Sequence, residues 1–108
     1  MTDTCARALH IAADHPAFDG HFPGHPILPG VALLAEVLEA ARDEPALAAA
    51  IGEQPRLPVA KFLVPVLPGA ALVIEFRLGA RSIDWRAIDG ERAVASGQIS
   101  RADVGSAA

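Results

Sequence analysis

Phe18-Asp19-Gly20-His21-Phe22-Pro23-Gly24-His25-Pro26-Ile27-Leu28-Pro29-Gly30-Val31 is the stretch from which the rest of the chain is read. Residues 14–30 hold four prolines and three glycines. That density excludes a helix or a central strand, because proline lacks the amide hydrogen that both ladders need. A connection this long inside a small domain is either functional or disordered. Phe18, Phe22, Ile27 and Leu28 argue for packing, hence for an ordered loop with a task. Pro29 then suits the first turn of a helix, where an amide hydrogen would be unpaired in any case. Val31, Leu34, Leu38 and Ala41 recur at helical spacing through about Arg42. Glu36, Glu39 and Asp43 share a narrow stripe, and most of the remaining circumference is apolar. Such a helix belongs inside something, with one strip near water or a polar site.

Working outward, residues 5–13 alternate enough to predict a first strand. Pro45 closes the helix, and residues 45–51 suit a short Ala-rich turn of helix. Residues 56–64, 71–80, 83–89 and 92–101 are rich in Val, Ile, Leu and Phe and read as strands. Pro68-Gly69 marks one turn and Asp89-Gly90 a hairpin between the last two strands. One long helix between a first strand and an antiparallel meander is an α+β domain.

Composition bounds the function. The chain has 108 residues, 52% of them hydrophobic, with 9 basic and 13 acidic side chains and a net charge of −4. That length predicts one domain over residues 1–108. A short, apolar chain gains stability by associating with a second copy. Nucleic acid is not an expected partner, because Lys61 is the only lysine and the arginines are scattered. Cys5 is alone, so no intrachain disulfide forms, and its place beside Arg7 is a slender hint of reactivity. The first residues lack the basic head and apolar core of a secretory signal. The apolar run from Leu63 to Ile74 is broken by Pro65 and Pro68 and too short to span a bilayer. The expected setting is the cytoplasm, with no membrane partner.

From Gly20 to Gly30 the chain resembles the signature of the 3-hydroxyacyl-acyl carrier protein dehydratases, Gly-His-Phe-Pro-Gly-x-Pro-hydrophobic-x-Pro-Gly. Ala60-Lys61-Phe62 followed by Pro65-Val66-Leu67-Pro68-Gly69 is similar to the strand and turn after that family's helix. The resemblance covers about residues 8–101. It implies the hotdog fold, a curved antiparallel sheet wrapped around one long central helix.

Dehydrating a 3-hydroxyacyl thioester removes a proton beside the carbonyl and expels hydroxide from the next carbon. The first task needs a base and support for the developing enolate; the second needs an acid. His21 suits the base, since imidazole titrates near neutral pH and a proline-rich loop holds it rigidly. Gly30 opens a helix, so its free amide and the positive helix end suit the thioester oxygen. The resemblance implies these same roles for His21 and Gly30. It also implies an acyl tunnel lined by Phe22, Ile27, Leu28 and Phe62, although ordinary packing is the simpler account of each. His21 and His25 are four apart, but Pro23 and Pro26 forbid the helix that would pair them and no third ligand follows. No metal and no cofactor are expected. His10 and His15 read as surface or strand residues.

The acid is where this sequence departs from the pattern. The family places an Asp or Glu fourteen residues after the histidine, and that position here is Ala35. Glu36 is adjacent, but one residue turns a helical side chain by about 100°. Glu39 lies four residues on, near the same face, and helical side chains lean towards the N-terminus, so it reaches back towards the space Ala35 leaves. Three readings stay open: Glu39 supplies the acid, Glu36 supplies it, or Glu36, Glu39 and Asp43 are only the wetted stripe. An acidic acyl carrier protein calls for a basic dock. Arg56, Lys61, Arg77 and Arg81 are the candidates for it.

The expected protein is a homodimeric dehydratase of fatty-acid or polyketide-type biosynthesis, acting on an acyl carrier protein or CoA thioester. Its rivals are a non-catalytic hotdog subunit that binds an acyl carrier or completes a heterodimer, and a hotdog thioesterase that activates water with Glu36 or Glu39.

Overall fold

The computed structural model describes residues 4–19 and 27–102. A first strand, β1 (Thr4–His10), leads to a single 3-10 turn (Pro16–Phe18). Two helices follow, α1 (Gly30–Arg42) and α2 (Pro45–Ile51). The rest is sheet: β2 (Val59–Phe62), β3 (Ala71–Leu78), β4 (Ser82–Asp89) and β5 (Arg92–Ser100). The five strands form one antiparallel sheet in the order β1-β3-β4-β5-β2. This is the expected α+β hotdog architecture.

Strand alternation builds the inner face. Leu72, Ile74 and Phe76 of β3 and Ile83, Trp85 and Ala87 of β4 are buried, while Glu75, Arg77, Asp84 and Arg86 between them face out. The β4–β5 hairpin closes at Gly90, whose φ of +65° is a left-handed conformation that a side chain disfavours. Opposite Trp85 stands Gly97. A Cβ at Gly97 would lie 2.8 Å from the indole Nε1 and would also run into the Val59 carbonyl oxygen. The bare glycine lets the indole lie flat over β5.

α1 closes the core with Leu33, Val37, Ala40 and Ala41, and α2 adds Leu47, Ala50 and Ile51. The face differs from the one the periodicity predicts. Val31 is 78% exposed, and Leu34 and Leu38 are only partly buried. The reason is that α1 is apolar around most of its circumference, so spacing alone does not choose a face. The sheet takes the one whose Ala40 and Ala41 permit close approach.

Two smaller differences have local causes. Pro16 starts the 3-10 turn inside a segment expected to be free of helix; a turn of three residues needs few amide donors. β2 begins only at Val59, because Pro58 cannot donate to the ladder. No helix among the described residues is long and apolar enough to cross a membrane.

Candidate active site

The described chain meets the motif from both ends. On its far side, the Leu28 amide donates to the Val66 carbonyl at 2.8 Å, tying the segment before α1 to the one after β2. Pro29 is the N-cap of α1, and its carbonyl accepts from the Ala32 and Leu33 amides. The Gly30 and Val31 amides stand ahead of any intrahelical acceptor, as the first amides of every helix do. They carry the positive end of the helix dipole.

Phe62 covers this helix end. A Cβ on Gly30 would lie 2.8 Å from the Phe62 Cζ, so only glycine admits the ring at its present distance. The chain just after Phe62 is tied to a bulge in β5. Ala87 faces Ala95 and Ile88 faces Ala93, which leaves Val94 unopposed. The Val94 carbonyl then accepts from Leu63 at 2.8 Å and from Val64 at 3.2 Å, bending the chain out of β2 just after Phe62. Ile27, Leu28, Gly30, Leu33, Phe62 and Val66 thus surround an apolar cleft of about 330 Å³. Of the residues read as substrate-binding, Gly30, Ile27, Leu28 and Phe62 converge here. His21 and Phe22 lie outside the described residues.

The near side of the motif holds a pair that the sequence did not disclose. His15 Nε2 lies 3.2 Å from Glu36 Oε1, both side chains about three-quarters buried. His15 Nδ1 accepts the Ala17 amide at 3.0 Å, capping the 3-10 turn. An accepting Nδ1 carries no proton, so the neutral ring holds its hydrogen on Nε2 and donates it to Glu36. The two residues are 21 positions apart. No periodicity relates a loop residue to a helix residue at that distance, so no local signal was present.

The carboxylate stripe of α1 is therefore divided. Glu36 is engaged by His15, whereas Glu39 is exposed on the same side as Ala35 and Val31. Asp43 is the helix C-cap. Among the described residues no His, Cys, Asp and Glu gather into a metal-binding group. Burial and the neighbouring Glu44 push the Cys5 thiol up from its ordinary pKa, against the smaller opposing pull of Arg7, which leaves it less reactive than a free thiol. Lys61 and Arg77 share their outer-face groove with Glu75 and Asp84, so that surface is not of one sign.

The model of the ApeI-like family, described as ApeI dehydratase, matches residues 1–98. The chain belongs to the ApeI-like family. Among curated relatives, the 3-hydroxyacyl-[acyl-carrier-protein] dehydratase FabZ of Thermus thermophilus is 34% identical over 99 residues, covering 76% of this chain and 66% of that protein. The FabZ of Nitrobacter winogradskyi is 31% identical over 118 residues, covering 92% of this chain and 78% of that one. The chain thus spans just under two thirds of the length of the first relative. Among solved structures, the dehydratase heterocomplex ApeI:P from Xenorhabdus doucetiae matches with a TM-score of 0.75 and 23% identity, over 94% of this chain and 88% of that one. At that identity the match speaks for the hotdog fold alone.

Proposed function

We propose that this ApeI-like chain is a dehydratase of 3-hydroxyacyl thioesters, carried on acyl carrier protein or CoA, in fatty-acid or polyketide-type biosynthesis. The observation that carries this reading is the cleft at the head of α1. There the free Gly30 amide, the dipole end and the apolar walls of Ile27, Leu28 and Phe62 meet at the far end of the Gly20–Gly30 motif. In this reading the thioester oxygen takes the Gly30 amide, the acyl chain lies along Phe62, and His21 removes the proton beside the carbonyl. Hydroxide leaves from the next carbon with a proton from an acid, which Glu39 supplies. The working unit is a homodimer in the cytoplasm, made of single-domain protomers. The sheets join edge to edge, and the exposed face of α1 in one protomer meets the motif loop of the other. Exposed Val31, Val59, Phe62 and Leu63 supply the apolar surface that such a partner covers.

The test is hydration of a crotonyl or 2-decenoyl thioester, followed by loss of the enoyl absorbance. The wild type turns over, and His21→Ala loses the activity with its dimer and melting temperature intact. Release of free thiol without hydration would point instead to a thioesterase. A His21→Ala protein that keeps most of its activity would remove the base assignment.

One observation favours a second reading. Ala35 is exposed on the open face of α1, and its neighbour Glu36 is already engaged by His15. A subunit without its own acid would be the non-catalytic half of a heterodimer. Ala35→Glu separates the two, because it gives hydratase activity to a protein that is inactive as found.

A further inference from the structure

The His15–Glu36 pair has no part in the proposed reaction, and its geometry asks for one. Among the described residues, it joins two segments that border the Gly20–Gly30 motif, the turn before it and the helix after it.

We propose that His15 is a positioning residue, held as its Nε2–H tautomer between the Ala17 amide and Glu36, which fixes against α1 the 3-10 turn that leads into the Gly20–Gly30 motif. The inference rests on the dehydratase reading above for its kinetic consequence, and on the geometry alone for the anchor itself. His15 binds both partners through one planar ring, so the turn and the helix cannot shift relative to each other without breaking one bond. The 3-10 turn adds its own links, Phe18 amide to His15 carbonyl at 3.0 Å and Asp19 amide to Pro16 carbonyl at 3.1 Å. Phe18 also packs edge-on against the imidazole, centroids 6.2 Å apart. The described chain is thus fastened on both sides of the motif, at Asp19 on this turn and at Leu28 on Val66. His21 follows Asp19, the last residue tied into the turn, by two positions and precedes Leu28 by seven. The substrate cleft belongs to the other end. Loosening the first anchor thus disturbs the base more than the binding surface.

Four proteins test this: wild type, His15→Ala, Glu36→Ala and Glu36→Gln. Glutamine keeps an oxygen that accepts the Nε2–H but transfers no proton, whereas alanine keeps neither. Alanine is also the best helix former, so Glu36→Ala does not threaten α1. His15→Ala and Glu36→Ala should lower kcat by about 10- to 100-fold with KM nearly unchanged, the scale expected when a reacting group is slightly misplaced. Glu36→Gln should stay within about threefold of wild type on the same scale. Equal losses from Glu36→Gln and Glu36→Ala would overturn the proposal by making Glu36 a proton donor. So would wild-type kinetics in all three variants. Nitrogen-15 spectra and amide exchange give a readout independent of turnover. Wild type and Glu36→Gln should show a bare Nδ1, a protonated Nε2 and slow exchange at Ala17, Phe18 and Asp19. Glu36→Ala should speed that exchange. If the protein hydrates no thioester at all, the dehydratase reading falls while this second readout still decides the anchor; fast exchange or the opposite tautomer in wild type would overturn it.

Discussion

The two faces of α1 are built from similar residues and meet different fates. Leu33, Val37, Ala40 and Ala41 are buried against the sheet and α2. Val31, Ala35, Glu39 and Arg42, about half a turn round, are exposed along the whole length of the helix. A helix that only needed to close a core would make this second face polar throughout. Val31 and Ala35 are not polar, yet both are exposed. The inner face accounts for stability, and the outer one is the surface that the proposed dimer would cover.

Leu33→Ala is the harshest way to probe that division. Leu33 is buried at the head of the inner face, and deleting it should cost about 3 kcal/mol in stability. For a domain of this size that is a fall in melting temperature of roughly 12 to 20 °C. The outer face should respond in function instead. Glu39→Gln should reduce hydratase turnover by about 100-fold at an unchanged melting temperature, since general acid catalysis contributes at least that much. Equal loss from Glu36→Gln would contradict the helical-face argument. Val31→Glu should weaken self-association by at least about tenfold in sedimentation equilibrium, or roughly 1.4 kcal/mol. The monomer fold should be unharmed, because an acidic residue is welcome in a first helical turn. The smallest effect belongs to Arg42→Ala. Arg42 donates to the Gly52 carbonyl at 3.3 Å from an exposed position, so its loss should change stability by no more than about 0.5 kcal/mol.

How much of this was legible follows from whether the signal was local. Pro29-Gly30 set the start of α1, and Pro45 its close neighbour α2, because proline and helix termini act over a few residues. Asp89-Gly90 placed the hairpin for the same reason, and the runs rich in Val, Ile, Leu and Phe marked β3 and β4 as strands. The buried face of α1 was not legible, because an almost uniformly apolar helix has no periodicity to choose by. Gly30 as the seat of the Phe62 ring needs the placement of β2 and of the Val94 bulge, neither of which local pattern supplies. The His15–Glu36 contact depends on how a loop lies across a helix. Residue types alone left Glu36 as a wetted side chain and His15 as an ordinary surface one.

The strand order has a consequence for how the molecule is made. β3, β4 and β5 are chain neighbours joined by tight turns, so their ladders close quickly. β1 instead pairs with β3 across most of the chain, Thr4 meeting Arg77, and β2 reaches past two strands to β5. Long loops must close before those pairings are rewarded, so they come late. Everything at the candidate site lies between β1 and β2 or at the end of β2. A nascent chain halted before β3 therefore holds the whole motif and has no sheet to set it on. Contact order thus puts the meander first and the setting of the candidate site last.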